Sequence, residues 1–217
     1  MQIISIKDDI HQDLYSKLDI KELRPAQSKA IKAGLLERKN LLICTPTASG
    51  KTLIAELAML QGIYNRIGKA VYVVPLKALA SEKYEYFKAK YPDVKTALSI
   101  GDTDSSDSYL EKFDIIITVS EKLDSLIRHK APFLRYISTV VIDEVHLLND
   151  PNRGPTLEIV ITILKKVLKN VQFIALSATI GNPKELSMWL EAELIEDEWR
   201  PIELKKGIYL DGKIEYY

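Results

Sequence analysis

Leu41-Leu42-Ile43-Cys44-Thr45-Pro46-Thr47-Ala48-Ser49-Gly50-Lys51-Thr52 decides how the rest of the chain is read. A short apolar run predicts a strand, and the small residues after it predict a loop. Gly50-Lys51-Thr52 then opens the apolar run Leu53 to Leu60, which predicts a helix. Strand, small-residue loop and helix start, in that order, make a phosphate-binding loop. Backbone N–H groups and the positive end of the helix dipole cradle phosphate oxygens there. On this reading Thr47, Ala48, Ser49 and Gly50 form the cradle, and Lys51 reaches the β- and γ-phosphates. The Thr52 hydroxyl holds a magnesium ion. The pattern wants Gly at its first position, where Thr45 stands. The competing reading is an ordinary strand-to-helix turn.

Working outward, further apolar runs have the length and β-branching of buried strands. They are Ala70–Val74, Thr96–Ile100, Asp114–Val119, Thr139–Glu144 and Val171–Leu176. Helical spacing lies between them, over Leu76–Ala89, Glu121–Arg128 and Thr156–Leu168. Upstream, Pro25 is placed to begin a helix that runs to about Arg38. Residues 1–20 carry a loose apolar helix face with Asp8 or Asp9 as its cap. Continuous apolar strands alternating with helices predict an α/β fold, a mainly parallel sheet with helices on both faces. Thr45, Pro75, Gly101, Thr118, Asp143 and Ser177 sit at the strand ends, so the chemistry is expected on one rim. The acidic stretch Glu191–Glu198 reads as a solvated face, and Asp211-Gly212 as a hairpin signal.

Lys and Arg number thirty, as do Asp and Glu, so no global field draws the chain onto nucleic acid. Any such contact must be local. The single cysteine, Cys44, cannot form an internal disulfide and reads as a small core residue. No apolar stretch is long enough to cross a membrane, and the N-terminus lacks a signal-peptide layout. The expected location is therefore the cytoplasm.

A phosphate loop needs a carboxylate partner. Asp143-Glu144-Val145-His146 follows an apolar strand. Asp143 there can hold magnesium, and Glu144 can orient or deprotonate an attacking water. The alternative is a pair of helix-capping acids.

These residues carry a resemblance. Thr47–Thr52 with Asp143-Glu144-Val145-His146 and Ser177-Ala178-Thr179 resembles the DExH-box helicases of superfamily 2, in motif order and strand-end placement. Pro75-Leu76-Lys77-Ala78-Leu79, Gly101-Asp102, Thr118–Leu126 and Gly181-Asn182-Pro183 extend it toward the Ski-like branch. Within that branch the loop and the Glu121–Leu126 run look most like the archaeal Hjm helicases, which are HelQ-related. The resemblance spans roughly residues 14–205. It implies a RecA-like domain over 1–200, with 201–217 as a connector or edge strand leading to a second such domain. It implies ATP and magnesium as cofactors, Gln27 reading adenine, and Lys51, Asp143 and Glu144 in catalysis. His146, Ser177 and Thr179 would couple hydrolysis to movement, the two hydroxyls bonding the carboxylate–histidine motif. Pro75, Lys77, Gly101, Thr118 and Glu121 would face nucleic acid, gripping phosphate and sugar rather than bases. His11 and His129 have no such context and read as surface residues.

The implied partners are single-stranded or forked DNA and the second RecA-like domain, in a monomeric, nucleoid-associated protein. Arg200 is the only arginine after Thr179, so arginine fingers are expected from elsewhere. The chain alone is expected to be a slow ATPase that does not unwind. An RNA helicase of the same branch, a phosphate-loop ATPase that needs no nucleic acid, and a non-catalytic binding module stay open.

Overall fold

The computed structural model describes residues 2–101, 107–202, 207–210 and 212–216. Seven strands form one sheet: β1 (Leu41–Cys44), β2 (Lys69–Val74), β3 (Thr96–Ser99), β4 (Ile115–Val119), β5 (Ile137–Ile142), β6 (Gln172–Ser177) and β7 (Glu193–Glu196). Their order is β3-β4-β2-β5-β6-β1-β7, and every pairing is parallel. All their C-terminal ends therefore lie on one edge. The central strands are buried along their whole length, which is why they read as unbroken apolar runs.

The period-two alternation of each strand divides its side chains between two cores. Leu41, Ile43, Ala70, Tyr72, Val74, Ile115 and Ile117 face α1 (Gln12–Ser16), α2 (Pro25–Lys32), α3 (Lys51–Tyr64) and α4 (Lys77–Lys90). Leu42, Cys44, Val71, Val73, Ile116, Val140 and Ile142 face α5 (Ser120–Arg128), α6 (Gly154–Val167) and α7 (Pro183–Leu190). Each fully buried Ile or Leu contributes about 2 kcal/mol. The chain leaves β1 toward α3 on one face and β6 toward α7 on the other. Adjacent strands whose connections part in this way open a crevice at the sheet edge. The same parting separates β2, which leads to α4, from β4, which leads to α5.

A buried carboxylate locks α3 to α4. Glu56 of α3 is 1% exposed and accepts from Tyr86 and Lys90 of α4, each at 2.7 Å, and from the adjoining Tyr91 hydroxyl. With three donors satisfied, its charge is tolerated in the core.

Several expectations change. Within the acidic stretch, whose glutamates are exposed as expected, Glu193–Glu196 forms a parallel edge strand. Its register puts Ile195 in the core beside Ile43, with the glutamates outward. The N-terminal segment holds a 3-10 turn over Ile3–Ile6 and the short α1, and neither Asp8 nor Asp9 caps it. His11 does, its Nδ1 accepting from the Asp13 N–H at 3.3 Å while its ring stacks on Tyr64. His11 thus has a structural role. α2 ends at Lys32 rather than near Arg38, and Gly34 follows in the left-handed region. The hairpin forms, as β8 (Gly207–Leu210) against β9 (Lys213–Tyr216), in a sheet of its own. Asp102, the loop residues 103–106, Lys205 and Asp211 lie outside the described residues.

Candidate functional site

The loop after β1 is held by its own polar atoms. Thr45 is buried and its hydroxyl meets the Ser49 hydroxyl at 2.7 Å, pinning one end of the loop to the other. That bond gives Thr45 a use that glycine could not supply. Gly50, which precedes α3, has φ +93°, and a Cβ there would come 2.4 Å from Gln27 Nε2. The left-handed φ favours glycine here. Lys51 opens α3 and bends back across the loop, donating to the carbonyls of Thr45 at 2.8 Å and Ser177 at 3.0 Å. Burial lowers its pKa, against the pull of Glu144 and Asp143. A phosphate at the loop would offer this cation better acceptors than two carbonyls. Beneath it, burial pushes the Cys44 thiol up to about 11, so it stays protonated and inert.

Asp143 and Glu144 follow β5 on the same edge. Glu144 has φ +53°, a left-handed conformation that costs a non-glycine residue about 1 kcal/mol. It turns the carboxylate toward His146, whose Nδ1 is 3.3 Å from Glu144 Oε2. Asp143 is held by two donors: the Tyr72 hydroxyl to Oδ2 at 2.9 Å and the Glu144 N–H to Oδ1 at 3.0 Å. The donor set for a metal is one hydroxyl, Thr52, and one carboxylate, Asp143. These are hard oxygens suited to magnesium completed by phosphates and water. The Lys83 ammonium, 3.3 Å from Thr52 Oγ1, is a cation already resting on that hydroxyl. The residues therefore fit the expected ion. No cluster of three or more His, Cys, Asp or Glu among the described residues offers an alternative metal centre.

One expectation needs correcting here. The link from the acid pair to the segment after β6 does not run through the Ser177 and Thr179 hydroxyls. Ser177 Oγ is buried with no partner beyond the soft thiol of Cys44, and Thr179 is exposed. The link is His146, which lies 3.5 Å from the Ala178 backbone N. Gln27 is 4% exposed and already engaged, accepting from the Arg24 N–H at 2.8 Å and donating to the Gly50 carbonyl at 3.1 Å. To read a base it must exchange those bonds.

The residues expected to face nucleic acid converge on a second crevice. Pro75, Lys77, Gly101 and Glu121 line one groove of about 600 Å³, with Lys122, Arg128, His129 and Arg153. Thr118 is not among them. It is fully buried, and its hydroxyl donates to the Ser99 carbonyl at 2.7 Å, tying β4 to β3. Its role is to fix the groove floor, not to touch a ligand. Pro75 and Arg153 also line the small cleft beside Asp143 and Glu144, so the two crevices share a wall. Sequence reading missed Arg153, Tyr72 and Lys83. None lies in a motif, and only the fold brings them to the edge.

Residues 24–186 match the family profile described as DEAD/DEAH box helicase. The chain belongs to the DEAD/DEAH box helicase family. As a member of that enzyme family it has relatives among archaeal proteins named ATP-dependent DNA helicase Hel308. It is 53% identical to that of Methanococcus vannielii over 94% of this chain and 28% of the relative. It is 56% identical to that of Methanocaldococcus jannaschii over 94% of this chain and 18% of the relative. The helicase domain thus spans less than a third of the curated relatives it matches. Among solved structures it is similar to the DUF1998 helicase MrfA bound to DNA and AMPPNP, with TM-score 0.75 and 30% identity. That match covers 88% of this chain and 30% of the other. A second structure of the same helicase bound to DNA gives TM-score 0.74 at 28% identity, over 88% of this chain and 30% of that one. The RecA-like architecture follows from these neighbours and the all-parallel sheet.

Proposed function

We propose that residues 1–217 are the N-terminal ATP-binding motor domain of an ATP-dependent 3′-to-5′ DNA helicase. The finer placement is the Ski-like branch and its Hjm-type members, acting in replication-fork repair and recombination. The observation that carries the reading is the shared wall. The small cleft beside Asp143 and Glu144 meets, at Pro75 and Arg153, a groove lined by Lys77, Gly101 and Arg128. Movement of the acid pair on nucleotide exchange would be felt at once in the groove.

The roles follow from the chemistry. The loop residues Thr47 to Gly50 cradle phosphates, and Lys51 neutralises them. Thr52 and Asp143 would hold magnesium, which supplies charge neutralisation on the phosphates when bound. Glu144 orients and deprotonates the attacking water, and His146 passes its position to Ala178. Gln27 reads the adenine edge. Pro75, Lys77, Gly101 and Glu121 shape a grip on single-stranded or forked DNA, Glu121 at the start of α5 rather than on phosphate. A second RecA-like domain supplies the opposing face, in a monomeric protein of the cytoplasm and nucleoid. The helicase domain by itself turns over slowly and does not unwind, in keeping with relatives several times its length.

The test is ATP hydrolysis by purified protein carrying this domain, with single-stranded DNA, single-stranded RNA or neither. Stimulation by DNA above RNA supports the reading. Equal rates in all three would favour an ATPase that needs no nucleic acid, and stimulation by RNA alone would favour an RNA helicase.

A further inference from the structure

Tyr72 lies in the middle of β2 and is fully buried. Its ring packs on Phe87, centroids 5.8 Å apart, and the Lys83 ammonium sits 5.7 Å from its centroid. A phenylalanine would fill that space. The hydroxyl must be desolvated to sit there, and such a group is kept only where it finds a partner. Its partner is Asp143 Oδ2 at 2.9 Å.

The bond has a geometric consequence. Asp143 Oδ1 is already held by the Glu144 N–H. With a donor on each oxygen the carboxylate plane is fixed, and it is fixed from two different strands, β2 and the end of β5. One donor comes from the core and does not depend on the left-handed turn at Glu144. Hydrogen bonds to a metal-ligating carboxylate set its orientation, and their loss weakens metal binding by about 10- to 100-fold.

We propose that Tyr72 is a positioning residue for the magnesium site, holding the Asp143 carboxylate in the orientation in which it receives the ion opposite Thr52. Lys83, 5.7 Å from the ring centroid and 3.3 Å from Thr52 Oγ1, places a cation at the hydroxyl that would hold the metal. The inference rests on the reading of Asp143 as the magnesium carboxylate.

The experiment is calorimetric titration of Mg²⁺ into Tyr72→Phe, Asp143→Asn and unaltered protein, each saturated with a non-hydrolysable ATP analogue. Tyr72→Phe is expected to weaken Mg²⁺ by about tenfold. Its affinity for the analogue without metal should stay as in the unaltered protein, which a merely structural defect would not allow. Loss of Mg²⁺ affinity in Asp143→Asn with none in Tyr72→Phe overturns the positioning role alone. No loss in either overturns the magnesium reading, and this proposal with it. The unaltered protein labelled with ¹³C at tyrosine Cζ gives a second readout that needs no folded variant. The Tyr72 resonance shifts on Mg²⁺ addition if the bond reports the ion, and an unmoved resonance contradicts it.

Discussion

The two crevices on the sheet edge differ in how far their polar groups reach solvent. In the nucleotide crevice nearly every polar group is already bonded within the protein. Lys51 rests on two carbonyls, Gln27 on Arg24 and Gly50, and Asp143 on Tyr72 and Glu144. In the groove Lys77, Gly101, Glu121, Arg128 and His129 are exposed, with Arg128 paired to Asp124 and His129 Nδ1 2.8 Å from the Ser125 carbonyl, and the lining runs along α5. A small charged ligand is recognised by preorganised groups that exchange one partner for another at little reorganisation cost. A strand that must slide is gripped at its phosphates and sugars, which exposed charge at the surface of a groove can reach. Glu56 joins the two, because it ties α3, which starts at the nucleotide loop, to α4, which starts at the groove.

That contrast can be broken first at its strongest point. Lys51→Ala should lower ATP hydrolysis by about 100-fold or more, because it removes the preorganised cation that lies across the loop. The change is read in steady-state phosphate release, with single-stranded DNA affinity unaltered in the absence of nucleotide. A smaller effect is expected in the groove. Lys77→Ala or Arg128→Ala should each weaken single-stranded DNA binding by about fivefold at 0.1 M salt. Each should also reduce the salt slope by about 0.7, as the loss of one phosphate contact requires. Fluorescence anisotropy across a salt series measures both. If ATP binding fell as far as DNA binding in these variants, the two crevices would not be separate in kind.

The same contrast explains what was legible in the sequence. The phosphate loop, the acid pair and the six central strands could be read because each is a local pattern: apolar β-branched runs, Gly50-Lys51-Thr52, Asp143-Glu144. β7 escaped because Glu193 and Glu196 flank its Leu-Ile pair. A one-sided edge strand beside β1 buries only Ile195, so its composition looks like surface. The resemblance implies a nucleic-acid contact for Thr118, at a strand end. Whether a threonine there faces ligand or the neighbouring strand depends on register with β3, which the sequence does not encode locally. Ser177 failed in the same way, its hydroxyl turning to Cys44 across the β1–β6 pairing. Tyr72 and Arg153 act only through partners distant in sequence, Asp143 for the one and the shared wall for the other.

The central claim is that Glu144 acts on water, while other groups of the crevice bind the nucleotide. Glu144→Gln keeps the shape and the left-handed turn while removing the base. Nucleotide affinity, measured with a fluorescent ATP analogue and magnesium, should stay within about twofold. ATP hydrolysis in the same preparation should fall by about 100-fold or more, the range of general-base loss. Hydrolysis at the rate of the unaltered protein would contradict the account.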